Sequence, residues 1–111
     1  MPYIRETNRD ILNDHIENLA TKIMELSQKS EYGESSYSLN NAELCGLLGD
    51  INYSISRLCS KIMGDPTYSK IAMITGVLEN VKQEYYRRVA IPFEENKMAQ
   101  NGDIKEYKKA F

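Results

Sequence analysis

The stretch NNAELCGLLGDINYSISRLCSKIMGDP, residues 40–66, decides the fold. Within it Leu44, Leu48, Ile51, Ile55, Leu58 and Ile62 recur at alternating steps of four and three. That spacing is one apolar stripe on an α-helix, not the two-residue alternation of a strand. Both ends are marked. Asn40 and Glu43 stand at the separation of a capping box, in which each side chain satisfies a free amide of the other. Gly64 can take the left-handed conformation that closes a helix, and Pro66 cannot donate the amide that a continuing helix requires. The spacing predicts a helix over 41–63.

Upstream, Leu12, Ile16, Leu19, Ile23 and Leu26 repeat the same alternation and predict a helix over about 8–27, with Thr7 and Asp10 as its capping pair. Residues 28–40 are rich in Ser, Tyr and Glu, show no period, and read as a loop that is mobile at Gly33. Downstream, Ile71, Ile74, Leu78, Val81, Tyr85 and Val89 carry a third helix over 67–91. Pro92 clashes with the carbonyl four residues back, so the chain is expected to kink there or to restart as a short helix over 92–100. Asn101 and Gly102 form a terminating pair, and 103–111 is a charged tail without an apolar period. Strand patterns and internal repeats are missing. The expected fold is all-α: a single helical domain over 1–111, built as an antiparallel three-helix bundle plus a short C-terminal helix.

Composition narrows the function classes. A chain of 111 residues with 41% hydrophobic content can bury one core and not two. With 14 basic against 16 acidic residues and no run of like charge, an electrostatic grip on duplex nucleic acid or on an anionic membrane is not expected. The longest apolar run, 71–78, is interrupted by Thr75 and Gly76 and falls far short of the roughly 20 residues that span a bilayer. Residues 1–5 lack the apolar centre of a secretory signal, which points to the cytoplasm. Cys45 and Cys59 lie 14 residues apart in one predicted helix, a rise of about 21 Å, so they cannot pair within it. Free thiols suit a reducing compartment, and two Cys with one His do not complete a tetrahedral metal site. No metal or cofactor is expected.

Opposite the apolar stripe of the central helix stand Ala42, Gly46, Gly49, Tyr53, Ser56 and Ser60, a side made almost entirely of small residues. Gly in a helix interior costs about 1 kcal/mol relative to Ala, so two of them ask for a reason. Either a neighbour in the same chain approaches closely there, or the side is an interface between copies. In the third helix, Glu84, Tyr85, Tyr86, Arg87 and Arg88 cluster, and Arg88 lies three residues beyond Tyr85, at the edge of the stripe. A guanidinium keeps its charge at ordinary pH, so partial burial calls for a negative partner. One reading supplies Glu84, one turn before Arg88. The other has Arg57, Arg87 and Arg88 converge on phosphate or carboxylate while Tyr53 or Tyr86 stacks on a ring, as a nucleotide-like ligand would reward. Asn52 and Asn101 complete that candidate ligand set.

The remaining candidates read as structural. His15, on the flank of the first stripe, is expected to be a packed, hydrogen-bonded residue. Glu94 and Glu95 diverge by about 100° on a helix and suit its positive end rather than an acid/base couple. No phosphate loop, nucleophile elbow, HExxH or EF-hand pattern occurs, so no catalytic residue is assigned. A metal-dependent hydrolase would have to draw on Glu79, Glu84, Glu94 or Asp103 in an assembled oligomer.

From Gly49 onward the chain resembles a family of short, uncharacterised helical proteins associated with tailed bacteriophages, prophages and other bacterial sequences. The likeness is carried by Gly49, Asp50, Ile51, Asn52 and Tyr53 running on to Ile55, Arg57 and Leu58; by Gly76, Val77, Leu78 and Glu79; and by Glu84, Tyr85, Tyr86, Arg87, Arg88 and Val89. Pro92, Phe93 and Glu94, then Asn101, Gly102 and Asp103, complete the family pattern E-[FY]-Y-R-R-V, P-[YF]-E, N-G-D. The first helix is similar only in character, and the Ser/Tyr loop is longer than the connection usual in the family. The resemblance implies a domain of unknown function in a phage or mobile-element setting, with no catalytic residue to carry over. Small helical phage proteins that sequester nucleotide signals to counter host defence share its size and setting. The expectation is therefore a non-enzymatic, oligomeric binding protein that sequesters a small anionic or nucleotide-like ligand. The alternative is a module that inhibits a host protein with no small ligand.

Overall fold

The computed structural model describes residues 2–27 and 39–108. The expected loop with its Gly33 falls largely on 28–38, outside the described residues. Every regular element is helical: α1 (Glu6–Met24), α2 (Asn41–Met63), α3 (Tyr68–Tyr85), a π-turn (Tyr86–Ala90), α4 (Ile91–Asn101) and α5 (Lys105–Lys108). Among the described residues there is no strand, and no helix is long and apolar enough to cross a membrane. The chain divides into two compact units, one of Tyr3–Thr67 and one of Tyr68–Phe111 with Met1–Pro2.

In the first unit α2 has the bounds that its sequence signals mark. The Asn40 side chain accepts from the Glu43 amide at 2.9 Å, and the Glu43 carboxylate accepts from the Asn40 amide at 2.9 Å. At the other end Gly64 has φ 69° and donates its amide to the Ser60 carbonyl. Helix α1 departs from expectation at its start. It begins at Glu6, so Thr7 already lies inside the helix, and Arg5 at the cap makes no side-chain hydrogen bond to it. It ends at Met24, where Ser27 Oγ donates to the Met24 carbonyl at 2.8 Å.

Full burial in this unit is rare among the described residues. Leu47, 3% exposed, is the only buried hydrophobic residue among those described. The covered residues are Thr21, Ile23, Met24 and Ser27 at and after the carboxyl end of α1, Leu39 before α2, and Glu43, Leu47, Asp50, Ile51, Ser54, Cys59 and Met63 on α2. The flank of α2 with Glu43, Leu47, Asp50 and Ser54 is offset from the Leu44–Ile62 stripe by most of one residue's rotation of about 100°. The stripe itself is largely open: Leu48 is 56% exposed and Ile62 71%, with Leu44, Ile55 and Leu58 also exposed. Leu12, Ile16 and Leu19 on α1 are likewise exposed. Leaving a Leu or Ile half uncovered forgoes about 1 kcal/mol of burial, so these eight side chains together forgo on the order of 8 kcal/mol.

In the second unit the backbone stays helical from Tyr68 to Asn101, and the short helix expected after Pro92 is present as α4, with Pro92 in its first turn. Ala90 (φ −71°, ψ −44°) and Ile91 (φ −62°, ψ −50°) are both right-handed helical. The widened turn over Tyr86–Ala90 accommodates the proline. The Ile91 amide donates five residues back, to the Tyr86 carbonyl, which opens the turn where the Pro92 ring would otherwise meet the Arg88 carbonyl. The helix closes at Gly102, φ 89°, as the Asn101 and Gly102 pair predicts. The short α5 in the tail has too few residues to show a period, and sequence reading passes over it. Its start is marked by Asp103, whose Oδ1 accepts from the Ile104 amide at 2.8 Å.

Candidate functional site

The candidate ligand residues divide between the two units: Asn52, Tyr53 and Arg57 lie on α2, while Tyr86, Arg87 and Arg88 occupy the π-turn and Asn101 ends α4. Every one of them is exposed. The premise for an anion pocket is an arginine at the edge of a buried stripe, and Arg88 does not meet it. An inserted residue in the π-turn advances the register, so Val89 and then Phe93 follow Tyr85 along the stripe while Arg88 moves off it. The stripe is itself uncovered, since Tyr85, Val89 and Phe93 are all exposed.

Glu84 does find an arginine, but it is Arg87 rather than Arg88. Positions three and four along are both within reach on a helix, and Arg87 takes the carboxylate as a fork. Its Nε donates to Oε1 at 2.8 Å and its Nη2 to Oε2 at 3.0 Å, with a further Nη2 bond to Oε1. The Glu84 side chain is 18% exposed and that of Arg87 61%, so solvent screening holds the pair to less than about 1 kcal/mol. Arg57 and Arg88 take part in no ion pair among the described residues.

The small side of α2 is open. A Cβ built on Gly46 or Gly49 meets no atom within 4 Å, so no close neighbour accounts for these glycines. Beside them Ser56 Oγ donates to Asn52 Oδ1 at 3.2 Å, a tie within one helix turn. Ala42, Tyr53 and Ser60 are exposed on the same side.

The other candidates are also placed on open surface. His15 is exposed rather than packed, because α1 is covered only near its carboxyl end. Glu94 is the acidic residue in the first turn of α4, and Glu95 beside it is exposed. Glu79 accepts from Gln83 Nε2 at 3.2 Å and stands 3.9 Å from Lys82 Nζ. Among the described residues no group of three His, Cys, Asp or Glu could hold a metal ion. Lys97 Nζ lies 5.6 Å from the centroid of the Phe93 ring, one turn away, a contact that settles α4 rather than forming a site.

What stands out is apolar and was partly missed in the sequence. Leu47 lies beside the four-three stripe, and the wider arc of Leu44, Leu47, Leu48 and Ile51 is the signal that marks it. Because α2 turns the Leu47 flank inward, the regular stripe remains on the surface. The stripe is a row of exposed apolar side chains along α2. Among curated proteins and solved structures, no match to the chain is found. A family model matches residues 1–104, and the chain belongs to the family described as Domain of unknown function (DUF6899).

Proposed function

We propose that this chain is a non-enzymatic helical protein-interaction module whose working surface is the exposed apolar stripe of α2. The observation that carries the reading is the openness of Leu44, Leu48, Ile55, Leu58 and Ile62 in a regular four-three alternation, beside a flank on which Leu47 is buried. Residues set in helical register and left in water are a ready surface for another helix. In this reading the antiparallel bundle foreseen from the sequence is completed by helices of more than one molecule. Its setting is the cytoplasm of a bacterial host, within a phage or mobile element, where free Cys45 and Cys59 stay reduced. Neither duplex nucleic acid nor membrane is a partner, in keeping with the balanced charge.

Ile55→Asp tests the reading directly. A docking surface tolerates the carboxylate in the isolated chain, so circular dichroism should show helicity within a few per cent of the parent. Collapse of the helical signal would mean that Ile55 is core and would end the proposal.

A second reading, capture of a small anionic or nucleotide-like ligand, is favoured by Arg57 and Arg88, which are exposed and form no ion pair among the described residues. Calorimetric titration with inorganic phosphate and a nucleotide panel decides it. Heat that disappears in Arg57→Ala or Arg88→Ala supports capture, and no heat with any of them removes it.

A further inference from the structure

The pair that closes α4 carries a chemistry that closing a helix does not require. Asn101 and Gly102 form the one asparagine–glycine step in the chain; each other asparagine precedes a residue with a side chain. Asparagine is among the thermolabile residues. Its side-chain amide carbon lies within reach of the next backbone nitrogen, and a glycine there, lacking a Cβ, leaves the approach open and the backbone free to turn. Asn101 is exposed at the end of its helix. Asn40 and Asn52, by contrast, are engaged through Oδ1, which accepts from the Glu43 amide in one and from the Ser56 hydroxyl in the other.

The same helix end restrains the reaction. The nucleophile is the Gly102 amide, and it donates to the Met98 carbonyl at 2.8 Å. Ring closure requires that amide to give up its proton. It also requires the Asn101 backbone to leave the helical range, so that the Gly102 nitrogen faces the Asn101 side chain. Both conditions are met only when the last turn of α4 opens, and terminal turns open far more readily than a whole chain unfolds.

We propose that Asn101–Gly102 is a site of spontaneous deamidation, latched by the last turn of α4. The Gly102 nitrogen bonds to the Asn101 side-chain carbon as the bond from that carbon to its own nitrogen breaks. The Gly102 proton and the side-chain amino group leave together as ammonia, and a succinimide remains. One water then opens the ring at either carbonyl and gives aspartate or isoaspartate, with no oxidant or reductant consumed. Either product adds a negative charge to a chain of formal net charge −2. The charge falls two residues from Asp103, at the helix end where the macrodipole disfavours it. Isoaspartate also puts one more carbon into the backbone between the Met98 carbonyl and the Gly102 amide, so the original closure does not re-form. The site is independent of the surface on α2.

The full chain, held at mildly alkaline pH and digested, is read by mass spectrometry for replacement of the side-chain NH2 by OH. Asn101 is expected to convert ahead of every other asparagine. It should do so more slowly than in a synthetic peptide of residues 97–105, which is too short to hold a helix. Ala99→Gly loosens the last turn at an exposed position. It should speed conversion in the full chain by roughly fivefold, through helix propensity, and leave the rate in the peptide unchanged. In the converted chain, separated by ion exchange, the Gly102 amide should lose its protection from hydrogen exchange.

Earlier conversion of another asparagine overturns the proposal, as does an Asn101 that stays intact in both full chains while the peptide converts. A full-chain rate equal to that of the peptide, or one unmoved by Ala99→Gly, overturns the latch.

Discussion

Leu47 and Leu48 are adjacent, identical in chemistry and opposite in environment, so truncating each in turn measures which side of α2 holds the fold together. Leu47 is 3% exposed, whereas Leu48 presents more than half of its surface to water. Leu→Ala at a buried site costs about 2.7–5 kcal/mol, and the figure rises with the cavity that remains. Around Leu47 the neighbours Glu43, Asp50, Ile51 and Ser54 are only partly covered, so the walls can relax and the cost should sit low, at about 2–3 kcal/mol. For a domain of this size that corresponds to a melting temperature lower by about 10–20 °C. Leu48→Ala removes a side chain that is already half hydrated and should cost about 1 kcal/mol or less in the dilute chain. Thermal melts followed by circular dichroism at several protein concentrations read both values. The Leu47→Ala deficit should not change with concentration. Equal costs at the lowest concentration would refute the reasoning, because they would mean that the stripe is buried within one molecule.

The open small side of α2 predicts that Gly46→Ala and Gly49→Ala each raise stability by about 0.5–1 kcal/mol in chemical denaturation, through helix propensity alone. A loss at either position would reveal a close neighbour there. Asn40→Ala removes half of the capping box and should cost about 1 kcal/mol in the same assay, while Thr7→Ala, inside α1 and not at its cap, should change little. Glu84→Gln should shift stability by less than about 1 kcal/mol, with the difference fading in added salt. Pro92→Ala restores a donor within a continuous helix. It should stabilise the chain by roughly 1–3 kcal/mol as the π-turn relaxes, with a newly protected amide at position 92 in hydrogen exchange; destabilisation would show that the wide turn is not a response to the proline.

Much of the helical framework was legible in order along the chain. The α2 limits follow from local chemistry: a cap pair at Asn40 and Glu43, a left-handed glycine at 64 and a proline at 66 act within a few residues and need no distant partner. The same is true of the stop at Gly102. Where reading failed, the local signal was ambiguous. A proline in a helical pattern can stop, bend or widen the helix, and the choice made at Pro92 moved Arg88 off the stripe and with it the premise of an anion pocket. Four residues at 105–108 carry too little pattern to announce α5.

Sequence by itself determined that the chain is helical, where most of its helices run, and that its two cysteines cannot join within α2, because these depend on propensity, capping and rise per residue. Only the tertiary structure decided which face of α2 is covered. Periodicity identifies an apolar stripe but is blind to what meets it, and the nearby arc through Leu47 is almost as apolar. Which arc turns inward depends on the shape of the surface that arrives against it. Here the buried one is the flank of Leu47, and the regular stripe of Leu44 to Ile62 is left facing water.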